Sequence, residues 1–332
     1  MKSVLCRIPC PWDATALYRS TGPFNHLRTI ANIQFKTSEN YNWVVIGSHD
    51  CIFMQRPFTD QDLQLAHLTK RCNKPLILDY DDDLFSVPEH NPAFKFYGSE
   101  KIHKNIRMMV AMADQVMVST ELLGEKLNTF RENKAECVVV PNALPHHMLD
   151  MKQEKVPRDK VITWRGSNTH EFDLATVHES ISHVVNKFPD WKWVFLGEPD
   201  YRTLSLVPKN MRTVVPSQDP IDFLNIFKSA KSTVHIVPLE HTQFNLAKSN
   251  IAWIEATYAG AATIAPKFGE WLLPGIINYD SPDSFTHQLT SVLEDPKKAE
   301  EPLSISLGSI PLVGTTNKLR KAVFQSVMGD QW

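Results

Sequence analysis

The feature that most constrains the fold is a repeated alternation of short apolar runs with helix-like patterns. In the first half of the chain, apolar and β-branched runs predict strands at residues 4–8, 43–46, 52–55, 76–79, 115–118 and 137–140. Helical patterns lie between them at residues 16–30, 60–72, 99–113 and 121–131. Strands that alternate with helices form βαβ units, whose strands pair in parallel. This half therefore predicts an α/β domain built on a parallel sheet.

The alternation resumes after a charged segment with one proline, residues 148–160, which predicts a linker. Strands are expected at residues 161–164, 191–196, 211–215, 233–237, 262–265 and 276–279, and helices at 171–187, 221–228, 249–258 and 283–294. A Pro-, Ser- and Gly-rich stretch, 301–316, precedes a last helix at 317–328. We expect domains at 1–150 and 151–310, with a ligand cleft outside the carboxyl ends of the strands.

Composition excludes several classes of protein. The 12 glycines are so widely spaced that neither a G-x-G-x-x-G fingerprint nor a P-loop occurs. A net charge of −2 does not fit a nucleic-acid coat protein. No apolar run is long enough to span a membrane, and the start of the chain does not resemble a secretory signal. The five cysteines lack a C-x-x-C pair, which predicts reduced thiols in a cytoplasmic protein.

Two stretches of the second half have the chemistry of an anion site. Lys248 and Ser249 are expected to open a helix, whose free N–H groups and dipole attract a diphosphate. Glu255 lies two turns further on, where it could accept both hydroxyls of a ribose, although an ordinary amphipathic helix explains the same spacing. In the other stretch, a strand is expected to end at Trp164, and Arg165, Gly166 and Ser167 turn into a helix that Asn168 or Thr169 caps.

An acidic run, LILDYDDDLF at residues 76–85, ends an apolar strand of the first half. Carboxylates at such a position are costly unless they face a cleft, a metal or cations. Asp81, Asp82 and Asp83 could therefore bind an acceptor, act as catalytic carboxylates, hold a divalent metal or form a solvated acidic loop.

Residues 244–266, FNLAKSNIAWIEATYAGAATIAP, resemble the donor-site segment of glycosyltransferase family 4, the retaining group with the GT-B fold. The similarity is greatest to short phage and bacterial members. It implies two Rossmann-like parallel-sheet domains that face a central cleft, with residues 311–332 forming a helix that crosses back to the first domain. Glu255 matches the ribose-binding glutamate of the family. The family's other glutamate falls at Ala247, so its role is absent here or has passed to Asn245 or Lys248.

The resemblance extends to the start of the second domain, where G-S-x-x-H-x-x-D-L is matched by Gly166, Ser167, His170 and Asp173. It implies that Arg165 and Lys248 neutralise the leaving diphosphate, with help from Gly166, Ser167 and Ser249. His170 would lie near the acceptor, although a simple contact between His170 and Asp173 at the helix start is the alternative. The family holds the base by main-chain groups after two strands, which correspond here to residues 196–198 and to residues 215–217 around Pro216.

In the first domain, Tyr18 and Arg19 match a Y-R pair of the family, and the acidic run matches its Y-D-D-D-L segment. The resemblance places Tyr18 near the acceptor and lets Arg19 reach either the donor phosphates or the acceptor. Asp81 and Asp83 are the catalytic candidates on this side, with Asp82 beside them. Residues 140–142, V-P-N, resemble a structural element at the end of the family's first domain.

The implied activity is a hexosyl- or pentosyltransferase that moves a sugar, with retention, from a nucleoside-diphosphate sugar, expected to be a UDP-sugar, to an acceptor hydroxyl. No cofactor is required, and a divalent metal is not expected. Three alternatives are a GT-A enzyme with a metal at Asp81 and Asp83, a nucleotide-sugar epimerase, and a non-catalytic sugar- or DNA-binding module.

The acceptor is the least constrained partner. Residues 94–107, FKFYGSEKIHKNIR, combine aromatic rings with Lys95 and three further cations. Rings stack on bases and cations bind phosphates, so a nucleic-acid acceptor is one hypothesis. Related phage enzymes glycosylate hydroxymethylated bases in DNA, which would place this protein in the cytoplasm of a bacterial host. A helix with a solvated basic face is the other reading.

Overall fold

The computed structural model describes residues 1–132, 134–145, 158–217 and 219–329. Two six-stranded parallel sheets form its framework, in the strand orders β2-β1-β3-β4-β5-β6 and β12-β11-β10-β7-β8-β9. The strands of the first sheet are β1 (Lys2–Arg7), β2 (Ile33–Thr37), β3 (Cys51–Gln55), β4 (Leu76–Tyr80), β5 (Gln115–Val118) and β6 (Val138–Val139). Those of the second are β7 (Asp159–Gly166), β8 (Lys192–Gly197), β9 (Arg212–Val215), β10 (Ser232–Ile236), β11 (Ala262–Pro266) and β12 (Ile276–Tyr279).

Helices connect the strands and cover both faces of each sheet. Around the first sheet they are α1 (Ala14–Arg19), α2 (Thr21–Ile30), α3 (Trp43–Gly47), α4 (Asp60–Arg71), α5 (Phe94–Tyr97), α6 (Glu100–Met112) and α7 (Glu121–Asn128). Around the second they are α8 (Glu171–Ala175), α9 (His178–Lys187), α10 (Tyr201–Leu206), α11 (Pro220–Ser229), α12 (Gln243–Leu246), α13 (Ile251–Tyr258), α14 (Pro282–Glu294) and α15 (Glu300–Ser309). The last helix is α16 (Val313–Met328).

Central strands of both sheets are buried along their whole length, as in β3, β4, β5, β10 and β11. Strands that are covered on two faces are mostly apolar, which is why they appear in the sequence as short runs rich in apolar and β-branched residues. The α/β fold with two parallel sheets, predicted from that pattern, is confirmed.

The last helix packs on the first sheet. Phe324 is fully buried, and its ring centroid lies 6.0 Å from that of Phe24 and 5.4 Å from that of Phe35. Asn317 Nδ2 donates to the Pro23 carbonyl at 2.9 Å, and Arg320 donates to the Tyr18 carbonyl at 3.2 Å. The chain therefore returns from the second sheet to the first. The predicted boundary at 150/151, and residues 148–157 of the predicted linker, lie outside the described residues.

Two predicted elements are wrong, and one strand was not predicted. Residues 43–46 form helix α3, because the side chain of Asn42 accepts from the N–H groups of Val44 and Val45 and caps it. The strand of this region is instead β2, on the sheet edge, where only Ile33 and Phe35 are buried. Residues 300–309 are helix α15, because Pro302 falls in its first turn, where no intrahelical N–H bond is lost.

Two predicted long helices are each divided. Residues 16–30 form α1 and α2, which meet at Ser20, and residues 171–187 form α8 and α9. The helix expected to open at Lys248 begins only at Ile251, after a short loop. Within the described ranges, none of the helices has the length and apolar character needed to cross a membrane.

Candidate active site

A cavity of about 590 Å³ lies between the two sheets, and residues from both of them line it. Its first-domain wall follows β3 and β4, and its second-domain wall is built from the end of β7 and the start of α13. Predicted site residues that line it are Tyr18, Arg19, Asp81, Asp82, Lys95, Arg165, His170, Lys248, Ser249 and Glu255. The cavity is thus at the carboxyl edges of parallel strands, where open α/β sheets bind their ligands.

Glu255 is the most buried charged group of the second-domain wall, with 3% of its surface exposed. Its Oε2 lies 2.8 Å from Arg165 Nε, and its Oε1 accepts from the Tyr18 hydroxyl at 2.9 Å. Burial raises the pKa of Glu255, while Arg165 and the Tyr18 hydrogen bond oppose the rise. Burial and the adjacent carboxylate also raise the pKa of Tyr18, so its hydroxyl stays protonated and donates. Tyr18, which was predicted to contact the acceptor, therefore contacts Glu255, which was predicted to bind the ribose.

Lys248 supplies a second cation to this wall. Its ammonium lies over the Phe244 ring, 5.1 Å from the centroid. Among the described residues, no carboxylate oxygen lies within ion-pair distance of it, whereas Arg165 is paired with Glu255. Its charge is therefore available to an anion that enters the cavity.

The loop that carries Lys248 is attached to the first domain on both sides. Asn142 Nδ2 donates to Ser249 Oγ at 2.8 Å, and the Thr120 hydroxyl donates to the Ala247 carbonyl at 2.9 Å. Ala247, at the position of the family's other glutamate, is buried and has no polar group to offer a ligand. The two domains are thus in direct contact at the predicted donor site.

His170 is neutral in this setting. Burial and the charge of Lys248 lower the pKa of His170 to about 4, although Asp173 opposes the shift. The pKa of Asp173 is lowered by its hydrogen bonds and by nearby positive charge, despite burial, so its carboxylate can only accept. Nδ1 of His170 therefore donates to Asp173 Oδ2 at 2.7 Å, and Nε2 keeps its lone pair. The structure contains the predicted local pair, and His170 also lines the cavity.

Arg56 organises the acidic run on the opposite wall. Its Nε donates to Asp81 Oδ1 at 2.7 Å, and one of its terminal nitrogens contacts both Asp81 and Asp82. Burial favours a neutral Asp81, but the Arg56 charge and hydrogen bonds outweigh it and hold the pKa of Asp81 below its usual value. Burial and the Asp81 charge raise the pKa of Asp82, against the effect of Arg56 and Lys248. Arg56 thus supplies the positive charge that offsets the carboxylates of Asp81 and Asp82.

Asp83 does not belong to this wall. Its carboxylate pairs with Lys126 at 2.7 Å and accepts from the Phe85 N–H at 3.1 Å. Only 3% of the Asp83 surface is exposed, and Asp83 does not line the cavity. The structure therefore does not support the predicted catalytic role of Asp83, because its charge is neutralised inside the first domain.

Arg19 lines the cavity with almost no exposed surface. Two of its nitrogens donate to the two carboxylate oxygens of Asp79, each at 2.8 Å, and a third contacts the Val140 carbonyl and Asn142. Since these partners occupy its guanidinium, Arg19 fixes the loop after β6 and is not placed to reach donor phosphates. The predicted role is replaced by a structural one.

Four other predicted donor residues lie off the cavity. Asn245 is buried, and its amide donates to Asp173 at 2.8 Å and to the Glu240 carbonyl at 2.9 Å, so it does not face a sugar. Pro216 is exposed on the loop after β9. Gly166 ends β7 where a Cβ would meet the Trp164 ring at 2.7 Å. Ser167, and not Asn168 or Thr169, caps the next turn by accepting from the Thr169 N–H.

The predicted basic segment is partly neutralised. Lys101 pairs with Asp60 at 2.5 Å, and Arg107 pairs with Glu100 at 2.7 Å. Lys95 lies at the cavity rim with its ammonium 4.8 Å from the Phe96 ring centroid.

Two contributors to the site were not predicted as such from the sequence. Arg56 directly follows the apolar strand β3, as Asp81 follows β4, and Gln55 pairs with Asp79 in the sheet. A charged residue immediately after a largely apolar strand was the available signal. Asn142 was assigned only to a structural element, because its contact with Ser249 joins residues 107 positions apart.

Comparison with known proteins rests on structure alone. No protein-family model matches the chain, and neither does any curated protein sequence. HepE from Anabaena, solved in complex with UDP and glucose, matches with a TM-score of 0.69 at 12% identity, over 98% of this chain and 100% of HepE.

A UDP-forming α,α-trehalose-phosphate synthase from Burkholderia vietnamiensis matches with a TM-score of 0.61 at 9% identity, over 98% of this chain and 97% of the synthase. The chain has the GT-B fold. The same value, 0.61 at 13% identity, is found for a Listeria monocytogenes protein assigned as a UDP-N-acetylglucosamine 2-epimerase, over 98% of this chain and 96% of that one. The GT-B fold excludes the GT-A architecture considered as an alternative for the acidic run. At these identities the similarity establishes the fold and not the activity.

Proposed function

We propose that this protein is a retaining glycosyltransferase that transfers a sugar from a UDP-sugar to an acceptor hydroxyl. The observation that carries the proposal is the set of Arg165, Lys248 and Glu255 in one interdomain cavity of a GT-B fold. A solved structure of the same fold, HepE, holds UDP and glucose. A family 4 origin, suggested by the segment around Glu255, agrees with this assignment.

In the proposed complex, Lys248 and Arg165 bind the diphosphate, with the Ser249 hydroxyl beside them. Glu255 accepts the two ribose hydroxyls in place of the Tyr18 hydroxyl that it now binds. The bond between the anomeric carbon and the diphosphate oxygen breaks, and its electron pair leaves with UDP. The acceptor oxygen bonds to the anomeric carbon on the same face, and its proton passes to the leaving phosphate.

Electrostatic stabilisation supplies the catalysis in this scheme. Negative charge grows on the diphosphate as the bond breaks, and fixed cations in a desolvated cavity stabilise it without reorganisation. No cofactor is required, and the proposal includes activity without a divalent metal, because protein cations face both the diphosphate and the acidic run. Activity that persists in EDTA is the expected result.

Titration calorimetry with UDP tests the donor site. Lys248→Ala should lose most of the affinity for UDP, and Glu255→Gln should weaken it, while Lys209→Ala, an exposed lysine of the same domain, should bind like the unmodified protein. Unchanged affinity in Lys248→Ala would refute the diphosphate assignment.

A nucleotide-release assay with a panel of UDP-sugars tests the reaction, and proton NMR of the product gives the anomeric configuration. Retention is expected, and inversion would contradict the mechanism. The similarity to the Listeria protein keeps an epimerase as the second candidate. An epimerase converts the donor sugar without an acceptor, whereas a binding module never releases UDP.

Localisation and acceptor belong to the same proposal. All five cysteines are free, which agrees with a reducing cytoplasm. A hydroxymethylated base in phage DNA is the acceptor that the family resemblance suggests, and a hydroxyl of a glycan, lipid or protein is the alternative.

A further inference from the structure

His170 lies beside the two cations of the second-domain wall. Its side chain and those of Arg165 and Lys248 line the main cavity, and they also line a recess of about 30 Å³ that adjoins it. The rings of Trp164 and Trp271 line the same recess. A sugar that is joined to a diphosphate on Lys248 and Arg165 lies directly next to those phosphates, and His170 is the neutral polar side chain at this place.

We propose that His170 is a specificity-determining residue for the donor sugar, and that its Nε2 accepts a hydrogen bond from one hydroxyl of that sugar. Asp173 is a positioning residue, which holds the imidazole ring in the tautomer that can accept. The inference rests on the glycosyltransferase activity proposed above, and it places His170 on the donor side of the site instead of near the acceptor.

The hydrogen bond to Asp173 decides which nitrogen of the ring carries the proton. A carboxylate can only accept, so Nδ1 of His170, 2.7 Å from Asp173 Oδ2, must donate. A neutral imidazole has one N–H group, and Nε2 therefore keeps a lone pair. Within the described ranges no hydrogen bond is formed to Nε2, so this lone pair is available to a ligand in the cavity.

Asp173 is itself held in one orientation. Its other oxygen, Oδ1, accepts from the Glu240 N–H and from the Asn245 amide, each at 2.8 Å. Only 6% of the Asp173 surface is exposed. A group that supports a ligand contact must be locked by its own hydrogen bonds, and these contacts provide that support.

The first domain supports the turn that carries His170. Asn91 Nδ2 donates to the Thr169 carbonyl at 3.1 Å, and the His90 ring packs against the Phe172 ring, with centroids 4.1 Å apart. Thr169 and Phe172 flank His170 in the sequence. The ring of His170 is therefore fixed relative to both domains.

A neutral ring nitrogen at this place matches a hydroxyl better than an anion. Burial and the charges of Lys248 and Arg165 lower the pKa of His170 to about 4, against the effect of Asp173, so the ring carries one proton at neutral pH. A phosphate or carboxylate oxygen has no hydrogen to donate and would face the Nε2 lone pair. A sugar hydroxyl can donate to it.

Steady-state kinetics with the full chain and its active UDP-sugar test the contact. The amide of His170→Asn cannot reach the position of Nε2, so kcat/KM for the UDP-sugar is expected to fall about 3- to 10-fold, the scale of one hydrogen bond between neutral groups. The Kd for UDP, which has no sugar, should stay unchanged. His170→Gln, whose amide reaches the position of Nε2, should recover part of the loss. His183→Ala, at an exposed histidine of α9, should behave like the unmodified protein.

Deoxygenated donors identify the hydroxyl. UDP-sugar analogues that each lack one hydroxyl are compared in the unmodified protein and in His170→Asn. One analogue is expected to lose activity in the unmodified protein and to lose no more in the variant, because both partners of one hydrogen bond are then missing together. An equal loss on going to His170→Asn with every analogue would overturn the proposal.

Asp173→Asn tests the positioning role. An amide can donate to Nδ1, which moves the ring proton to Nε2. Nitrogen NMR of the imidazole should show the Nδ1–H tautomer in the unmodified protein and the Nε2–H tautomer in Asp173→Asn, with kcat/KM lowered as in His170→Asn. The double variant should lose no more than either single variant. Fully additive losses, or an unchanged tautomer, would overturn the positioning role.

The outcomes separate this inference from the function on which it rests. An equal loss of affinity for UDP and for the UDP-sugar in His170→Asn would overturn the inference, because the contact would then be to the diphosphate. Proton uptake on UDP binding that disappears in His170→Asn, measured by calorimetry in buffers of different ionisation enthalpy, would have the same meaning. Transfer with unchanged kinetics in His170→Asn and Asp173→Asn would overturn this inference alone. Failure of the unmodified protein to bind UDP would remove the proposed function, and this inference with it.

Discussion

Tyr18→Phe is the change that tests the site most directly. It removes one oxygen atom, the hydroxyl that donates to Glu255 Oε1 at 2.9 Å, and keeps the ring. Tyr18 is 4% exposed and Glu255 is 3% exposed, so water cannot easily replace the lost donor. A hydrogen bond to a charged group contributes about 1.5–3 kcal/mol, and leaving the buried acceptor unsatisfied carries that cost. The free energy of unfolding of the unliganded protein is therefore expected to fall by about 1.5–3 kcal/mol.

The free energy of this hydrogen bond should also affect UDP binding, where its loss should increase the affinity. If ribose hydroxyls replace the Tyr18 hydroxyl on Glu255, the unmodified protein must break that bond before UDP can bind. Tyr18→Phe has no such bond to break, so at the lower end of this range its Kd for UDP should be about tenfold lower, since about 1.4 kcal/mol corresponds to a factor of ten. Urea denaturation measures the loss of stability, and titration calorimetry measures the gain in affinity.

Tyr201→Phe is the matched control, because Tyr201 is 84% exposed and the loss of its hydroxyl should affect neither quantity. The reasoning would be refuted if Tyr18→Phe lost stability as expected but bound UDP no more tightly than the unmodified protein. That result would mean that the ribose does not use the Glu255 oxygen now held by Tyr18.

Three further predictions concern stability. Arg56→Ala should lower the free energy of unfolding by about 1–3 kcal/mol, because it leaves two partly buried carboxylates without their cation. Lys101→Ala, from an exposed ion pair, should cost much less, and equal losses in urea denaturation would contradict this. Phe324→Ala should lower the free energy of unfolding by about 3–5 kcal/mol, because it leaves a cavity between α16 and the first sheet. Leu319→Ala, at a 40% exposed position of the same helix, should lower it by about 0.5 kcal/mol. An equally small loss in Phe324→Ala would show that α16 is not anchored there. Burial and Lys248 lower the pKa of His170 from 6.5 to about 4, so between these values the unfolded chain binds a proton that the folded chain does not. The protein should therefore lose stability as pH falls through that window. His170→Gln should lose less stability between about pH 7 and about pH 4.5, and parallel pH profiles of the two proteins would count against the prediction.

Part of the site could be predicted because its signals are local. Arg165 at the end of β7, Glu255 on α13 and the acidic run after β4 each stand beside an apolar element that the periodicity identifies. The carboxyl edge of a parallel sheet is a fixed consequence of that pattern, so residues just after the strands could be assigned to one cleft. The same locality misled at residues 43–46, because a short apolar run fits a helix segment as well as a strand.

The partners of these residues could not be predicted in this way. Arg19 and Asp83 are charged residues beside the cleft, and each appeared available for a ligand in the sequence. In the fold, Arg19 meets Asp79, and Asp83 meets Lys126, 43 positions along the chain. Which charge is already neutralised depends on such contacts, and no spacing rule reports them.

The sequence by itself determined the two parallel sheets and the elements that carry Arg165, Asp81 and Glu255, because hydrophobic periodicity and strand-end chemistry act over a few residues. Only the tertiary structure decided which of the charged groups remain for a ligand. Tyr18 and Glu255 are 237 positions apart, and their hydrogen bond exists only because the two domains meet at the cavity. Free charge in a site is the difference between what the chain carries and what folding pairs, and that pairing is a property of three-dimensional contact.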